Sequence, residues 1–272
     1  MILLHRLLLG VVGSAVIALF AWRRGSLSGS GALAALAIGT SICVGAGVSG
    51  FGVLVTFFVT STLLGKVGRA RKEVTKLEFS KGDRRDGWQA LANGGVAAVL
   101  ALVMLATTDV RASAAFLGAL ATANGDTWAT ELGILSRRDP VSVLTLKRVP
   151  RGTSGAVSGL GLLATLGGAL LVGLVAAGTG LEVRMGAGVV VLTSALGGVV
   201  GAWSDSVLGA TVQAAFHCET CRRETEGEVH HCGTRTRHVR GWRWFGNDAV
   251  NAVATLVGSG VAAAFVTWLG LA

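Results

Sequence analysis

Residues 31–65 read GALAALAIGTSICVGAGVSGFGVLVTFFVTSTLLG, a stretch that carries no charged side chain. A helix needs about 20 apolar residues to cross a bilayer, so the stretch has room for two spans, 31–48 and 49–65. Four glycines crowd the junction of these runs: Gly45, Gly47, Gly50 and Gly52. Because glycine permits sharp bends, two full spans, a kinked pair and a re-entrant hairpin are all open here.

Six further apolar runs flank this stretch. They cover 7–22, 91–108, 112–129, 155–178, 186–203 and 248–271. The chain is 51% hydrophobic and only 14% charged, as is typical of integral membrane proteins. We therefore predict an all-α fold in one integral membrane domain over 1–272. It is a polytopic transmembrane helical bundle of about six to eight spans, with basic cytoplasmic loops.

Basic residues orient this bundle, because cytoplasmic loops of membrane proteins are enriched in Lys and Arg. Of 24 such residues, 21 fall at Arg23–Arg24 and in the loops 66–90, 134–154 and 214–246, which share one side in an eight-span arrangement. Both termini then lie outside. We predict a protein of the cell inner membrane whose active site faces the cytoplasm.

The net charge of +9 is therefore concentrated on one face. Aromatic side chains do not interleave with the basic ones as a base-stacking surface requires, so we predict membrane lipids and phosphates as partners, and no nucleic acid. The run 7–22 is interpreted as a retained span, since Trp22-Arg23-Arg24 follows without a small-residue cleavage site. No organellar transit segment is apparent.

Four polar segments lie at the ends of apolar runs, where ionisable groups are costly and usually functional. They read DGWQALAN from Asp86, ANGDTWATE from Ala123, SDSVLGATVQ from Ser204 and NDAVN from Asn247. Helical spacing gathers the polar residues of each on one face. In the second segment this face is predicted to hold Asn124, Asp126, Thr127, Thr130 and Glu131. All four segments lie at the predicted cytoplasmic ends, so we expect them to converge on one site.

A basic, glycine-bearing loop, LKRVPRGTSG from Leu146 to Gly155, runs straight into the next span. Backbone amides at a helix N-terminus, together with Lys and Arg, complement an anion, although a solvated positive-inside loop explains the pattern equally well. Carboxylates near such a loop suit a magnesium nucleotide, in which Mg²⁺ takes oxygen ligands and bridges the phosphates.

The segments GDRRDGWQALANG, DTWATELG, RGTSGAVS, WSDSVLGATVQ and NDAVN follow one another in this order. Together they resemble the family long called domain of unknown function 92, which includes transmembrane protein 19 and the plant phytyl-phosphate kinase. The resemblance runs from about residue 30 to residue 270. It implies a kinase that converts a prenyl monophosphate of the phytyl or geranylgeranyl type to the diphosphate with a nucleotide triphosphate, CTP or ATP. The DTxAxxxG pattern is similar to that of the CTP-dependent polyprenol and phytol kinases.

The resemblance also implies site residues. The family motifs fall on Asp126, Thr127, Glu131, Gly133, Gly152, Thr153, Asp205, Ser206, Gln213, Asn247, Asp248 and Asn251. Catalytic roles are predicted for Asp126, Glu131, Asp205, Asp248 and Lys147. Asp126, with Asp205 or Asp248, is expected to hold Mg²⁺, and Lys147, Arg148 and Arg151 to neutralise the transferred group. Substrate and nucleotide contacts are predicted for Arg85, Asp86, Gln89, Asn93, Asn124, Thr127, Thr130, Arg148, Arg151, Gly152, Thr153, Ser154, Ser206, Gln213, Asn247 and Asn251.

The cytoplasmic loop 214–246 holds three of the four cysteines, in Cys218-Glu219-Thr220-Cys221 and His230-His231-Cys232. Cys-x-x-Cys followed by His and Cys fits a tetrahedral Zn²⁺ site with Cys218, Cys221, His230 and Cys232 as ligands; His231 is an alternative, and free thiols or a redox pair remain open. Because a Cys₃His set leaves no open position, such a zinc would be structural.

Two other functions fit the same residues. A CTP-dependent polyprenol or lipid-alcohol kinase, or a cytidylyltransferase, would use the same nucleotide and metal with another acceptor. The alcohol kinase would also need a base, for which Asp86, Glu131 or Asp248 could serve. A secondary transporter would place acids at a cavity too, but usually near the midplane and between inverted repeats.

Overall fold

The computed structural model describes residues 1–68 and 84–271. Seven α-helices lie in these ranges: α1 Ile2–Arg23, α2 Gly29–Lys66, α3 Gly87–Ala106, α4 Val110–Gly133, α5 Gly159–Gly178, α6 Ala187–Thr211 and α7 Asn247–Trp268. Five short strands accompany them: β1 Val141–Ser142, β2 Ala156–Val157, β3 Ala215–Cys218, β4 Arg223–Thr225 and β5 Arg237–Arg240. The basic residues Arg69, Arg71, Lys72, Lys76 and Lys81, and the Gly82-Asp83 start of the first family motif, lie outside the described residues.

The α2 helix reverses direction at Gly47. This residue has φ 69° and ψ −167°, a backbone conformation that is essentially restricted to glycine. Ser28, at the start of α2, donates its backbone N–H to the Arg85 carbonyl beside α3, and Lys66, at the other end, lines the same cavity as Arg85. The middle of α2 lies far from both, where Ser49 donates to the Thr179 carbonyl over 2.9 Å.

Gly47 therefore divides α2 into two antiparallel halves of about 27 Å each, close to the thickness of a bilayer core. Six of the seven helices in the described ranges are long and apolar enough to cross a membrane. With the halves of α2 counted separately, the bundle contains eight helical segments of membrane length. The prediction of a polytopic helical bundle is confirmed.

The remaining helix, α4, is the centre of the bundle. Every residue from Ser113 to Gly125 is buried, and α4 packs against α2, α3, α5, α6 and α7. Small residues permit this close packing. The oxygen of Gly258 on α7 lies where a side chain at Gly118 would begin. Because protein rather than lipid surrounds α4, it can carry the polar residues of ANGDTWATE without exposing them to hydrocarbon.

The two ends of the bundle differ in what they carry. We call one the loop end: it holds Arg23–Arg24, the segments 134–158 and 212–246, and both ends of α2. We call the other the termini end: it holds Met1, Gly47, the turn before α4 and the 3₁₀ turn Val183–Met185.

Two small sheets cover the loop end. Strands β1 and β2 pair antiparallel, and β4, β3 and β5 form an antiparallel sheet in that order. The three-stranded sheet is joined to the end of α6 through a hydrogen bond from the Arg240 guanidinium to the Gly209 carbonyl, 3.1 Å, and another to the Ala210 carbonyl. The segment 214–246, expected to be a loop, thus has strand structure of its own.

Candidate active site

A cavity of about 520 Å³ opens at the loop end between α1, α2, α3 and α4, with additional residues from α6 and α7. Ten residues singled out from the sequence line it: Arg85, Gln89, Asn93, Asp126, Thr127, Thr130, Glu131, Asp205, Asn247 and Asn251. They come from all four polar segments. The structure therefore brings these segments together at one place.

Helical spacing explains the contribution of α4. Asp126 and Thr130 are four residues apart, as are Thr127 and Glu131, so the two pairs form adjacent rows that face the cavity. The Thr127 hydroxyl donates to the Ala123 carbonyl of its own helix over 2.7 Å, which satisfies it locally. The two carboxylates are the groups of this face that could bind a metal ion or another cation.

Asp205 approaches from α6 and interacts electrostatically with Asp126. Its Oδ2 atom is buried and has no hydrogen-bond partner among the described residues. Neither Asp126 nor Asp205 forms an ion pair in that part of the chain. Two neighbouring carboxylates in a poorly solvated cavity repel each other, and a cation between them would relieve that repulsion. Carboxylate oxygens are the ligands that Mg²⁺ prefers, so the residues present fit this ion.

Two cations also line the cavity. Arg85 is fixed by its backbone, which donates to the Ser26 carbonyl and accepts from Ser28. Burial lowers the pKa of the Arg85 guanidinium, and the Glu131 carboxylate opposes this shift. Lys66 ends the second half of α2 and also lines the cavity. The cavity thus combines carboxylates for a metal with cations for phosphates.

The residues of the first polar segment have two different roles. Asp86 forms a capping box with Gln89: its carboxylate accepts from the Gln89 N–H over 2.9 Å, and the Gln89 side chain accepts from the Asp86 N–H over 3.3 Å. The Asn93 amide donates to the Gln89 carbonyl over 2.9 Å. Gln89 and Asn93 line the cavity, whereas Asp86 does not.

Asn124 does not share the face of Asp126. Its side chain is fully buried, donates to the Gly168 carbonyl over 2.7 Å and lies 3.4 Å from the Thr60 hydroxyl. Residues two apart on a helix are about 200° apart, so Asn124 points towards α5 while Asp126 points towards the cavity. The contacts of Asn124 join helices.

The basic glycine loop lies away from the cavity. Lys147, Arg148 and Gly152 are exposed, and none of the residues 146–155 belongs to the lining. The Arg151 guanidinium lies 3.4 Å from the Asp139 carboxylate. The Thr153 hydroxyl donates to the Pro150 carbonyl over 2.8 Å, which tightens the turn between β1 and β2.

The remaining predicted residues connect secondary structure. Gln213 is 2% exposed; its amide donates to the Glu226 carboxylate and its carbonyl accepts from the Ser154 hydroxyl, each over 2.8 Å. The Ser206 hydroxyl bonds to the Ala202 carbonyl of its own helix. Asp248 occupies the first turn of α7 outside the lining, between two asparagines that belong to it.

Sequence analysis missed part of the polar lining: Ser61, Thr62 and Lys66. The spacing from Thr62 to Lys66 is one helical turn at the end of an apolar run, the same signal that drew attention to the other four segments. From the sequence alone Lys66 counts only as a basic loop residue, because the reversal of α2 that brings it to the cavity is one of several open arrangements.

The cysteine and histidine cluster forms a second centre at the loop end. Ligating atoms of Cys218, Cys221, His230 and Cys232 all lie within 4.8 Å of one another, and His231 is not part of the group. Hydrogen bonds with Thr234 and then His230 lower the pKa of the Cys232 thiol to about 5. The hydrogen bond with Cys232 and then burial raise the pKa of the Cys221 thiol to about 11.

Comparisons with known proteins agree with this architecture. The family model described as integral membrane protein DUF92 matches residues 12–259. The chain is 34% identical to Protein PGR of Arabidopsis thaliana over 93% of this chain and 94% of that protein. It is 29% identical to an uncharacterized membrane protein of Methanocaldococcus jannaschii, over 76% and 83% of the two chains.

Protein VTE6, chloroplastic, also of Arabidopsis thaliana, is 26% identical over 95% of this chain and 69% of that protein. No solved structure matches the chain. The family model covers most of the sequence, including all four polar segments described above. The chain belongs to the DUF92 family of integral membrane proteins.

Proposed function

We propose that this protein is a membrane kinase that phosphorylates a prenyl monophosphate to the diphosphate, using a nucleotide triphosphate and Mg²⁺. The observation that carries the proposal is the amphipathic character of the cavity. One part is lined by carboxylates and cations, and the part that continues towards α1 is lined by Ile17, Phe51, Leu54, Val55 and Phe58. A phosphate on a prenyl chain has the same division into a charged head and an apolar tail.

Asp126 and Asp205 are the residues that would hold Mg²⁺. The metal supplies charge neutralisation on the donor phosphates. Lys66 and Arg85, which line the same cavity, neutralise the acceptor phosphate and the transferred phosphoryl group. In this arrangement Lys66 takes the role that the sequence had suggested for Lys147.

The reaction needs no general base, since a phosphate monoester is largely ionised at neutral pH. An acceptor phosphate oxygen forms a bond to the γ-phosphorus of the donor. The bond from that phosphorus to the β–γ bridging oxygen breaks, and the nucleoside diphosphate leaves with the electron pair. Positioning and charge neutralisation therefore supply most of the rate.

The family resemblance supports the substrate class, and the motif around Asp126 favours CTP over ATP. We place the protein in the cell inner membrane, and the basic residues of the loop end support a site that faces the cytoplasm. The substrate class, the nucleotide and this location go beyond what the cavity alone supports.

The test uses purified protein with Mg²⁺, labelled CTP or ATP, and either phytyl or geranylgeranyl monophosphate or the matching free alcohols. We expect prenyl diphosphate from the monophosphate, and loss of product when EDTA removes Mg²⁺. Product from the alcohol alone would identify an alcohol kinase, and a cytidylyl-lipid with released pyrophosphate would identify a cytidylyltransferase. Nucleotide-independent solute movement in liposomes, without lipid product, would identify a transporter. Each of these three results contradicts the proposal.

A further inference from the structure

The segment 214–246 buries few large apolar side chains, chiefly Phe216 and Phe245. Its strands contain only three or four residues each, and several of its large apolar side chains are exposed, Trp242 and Trp244 among them. Units shorter than about 40 residues usually need a disulfide, a metal or a partner to fold. The three cysteines here are free thiols.

The thiols and the imidazole of His230 are arranged around a common centre. The Sγ atoms of Cys218 and Cys232 are 3.7 Å apart, and Nδ1 of His230 lies 3.2 Å from Sγ of Cys232. With Zn–S bonds of about 2.3 Å, tetrahedral geometry places two sulfur ligands about 3.8 Å apart. The side chains therefore already have the spacing of a zinc site.

Part of this cluster is buried. Cys218 is completely buried and His230 is 3% exposed, while Cys221 is half-buried and Cys232 is exposed. Burying polar groups in so small a unit is costly unless a ligand compensates. Two ligands flank the turn after β3, and two lie on the segment that leads to β5, so one ion would join both halves of the unit.

We propose that Cys218, Cys221, His230 and Cys232 bind one Zn²⁺ that is structural. Three thiolates and one imidazole complete its coordination and leave no position for substrate. The ion fixes the three-stranded sheet, which is attached to α6 through Arg240 and through the contact of Glu226 with Gln213. Because α6 carries Asp205, the metal indirectly steadies one wall of the cavity. This site stands independently of the kinase assignment.

The direct test is elemental analysis of protein purified without a nickel column. We expect about one Zn²⁺ per chain, and near-complete loss in Cys221→Ser and Cys232→Ser. Cys43→Ser, in a membrane helix, and His231→Ala, beside the cluster, are matched controls that keep the metal. If His231→Ala loses zinc while His230→Ala retains it, the ligand assignment is wrong.

Two measurements on the unaltered sequence remain informative if the variants fail to fold. Replacement of the metal by Co²⁺ should give thiolate-to-cobalt charge-transfer absorption and the visible bands of a tetrahedral ion. Chelation should open the segment 219–236 to protease while the helices stay resistant. Protein that carries no metal and takes up no Co²⁺ would overturn the site, and an unchanged cleavage pattern after chelation would overturn its structural role.

Discussion

The two ends of the bundle treat their acidic side chains in opposite ways. At the termini end, Glu182 is 7% exposed and fully engaged: the Ser113 hydroxyl donates to it over 2.7 Å, and the Arg184 guanidinium donates over 2.8 and 2.9 Å. At the loop end, Asp126 and Asp205 line one cavity and interact electrostatically, and neither has an ion-pair partner in the described parts of the chain.

This difference distinguishes an acid that stabilises the fold from acids that are available for a ligand. A buried carboxylate that is paired and hydrogen-bonded joins the elements around it, as Glu182 joins α4 to the turn before α6. Two neighbouring carboxylates without such partners repel each other, and a bound cation would relieve that repulsion. The proposed function therefore assigns ligand binding to the loop end, whereas the termini end contributes stability.

The largest effect is expected from Asp126→Asn. It keeps the shape of the side chain but removes one of the two charges available to Mg²⁺, so turnover should fall by a factor of about a thousand. Product formation per folded molecule is the measurement, with size-exclusion elution in detergent as the check on folding.

Glu182→Gln is the matched control, since it makes the same chemical change to the acid at the other end and should leave turnover per folded molecule unchanged. Full activity of Asp126→Asn would remove the distinction between the two ends.

A smaller effect, of about tenfold to a hundredfold in kcat/KM, is expected from Lys66→Ala. The change removes one cation from the lining, which weakens phosphate binding and charge neutralisation. Lys147→Ala removes an equal charge from an exposed position outside the cavity and should change kcat/KM less than about twofold. Steady-state kinetics with varied nucleotide and varied lipid would separate the two variants. A larger loss in Lys147→Ala would restore the basic loop as the phosphate site.

Much of the fold could be predicted from the apolar runs, because a bilayer imposes segment length on any sequence. The reversal at Gly47 remained one of several possibilities. Four glycines share that junction, and only the packing of both halves of α2 against neighbouring helices selects which of them bends. The strands of 214–246 were missed because they are too short for a period-two pattern to stand out.

The same contrast between local pattern and tertiary packing decides which residues of the candidate site could be predicted. Residues on helices, such as Asp126, Glu131 and Asn251, could be found because helical spacing links them to one face. Lys147 and Arg148 were assigned from a basic glycine loop before a span, a pattern that does not tell which way the loop folds, and they lie outside the cavity lining. Asn124 was placed on the face of Asp126 by an overly wide polar face, whereas its side chain contacts α5. The positions that lie outside the cavity therefore depend on tertiary contacts that local sequence does not encode.

The smallest effect should come from Glu182→Gln, now measured as stability. Burial by itself raises the pKa of Glu182, but the hydrogen bonds of Arg184 and Ser113 outweigh it and hold the pKa below its usual value of 4.5. A carboxyl whose folded-state pKa is lowered contributes stability above its unfolded pKa and loses it as the pH falls through the folded-state pKa. The wild type should thus lose stability between about pH 5 and pH 3, whereas Glu182→Gln, which does not titrate, should lack this component.

At neutral pH the variant should be less stable by about 2 kcal/mol, because charged hydrogen bonds are replaced by weaker neutral ones. Thermal unfolding in detergent at a series of pH values measures both effects. The comparison needs the difference between wild type and variant, since the other carboxylates of the chain titrate in the same range and cancel in that difference. A variant that matches the wild type at neutral pH and falls in parallel on acidification would show that Glu182 stabilises nothing. The hydrogen bonds of Glu182 would then no longer distinguish a stabilising acid at the termini end from the acids proposed to bind a ligand at the loop end.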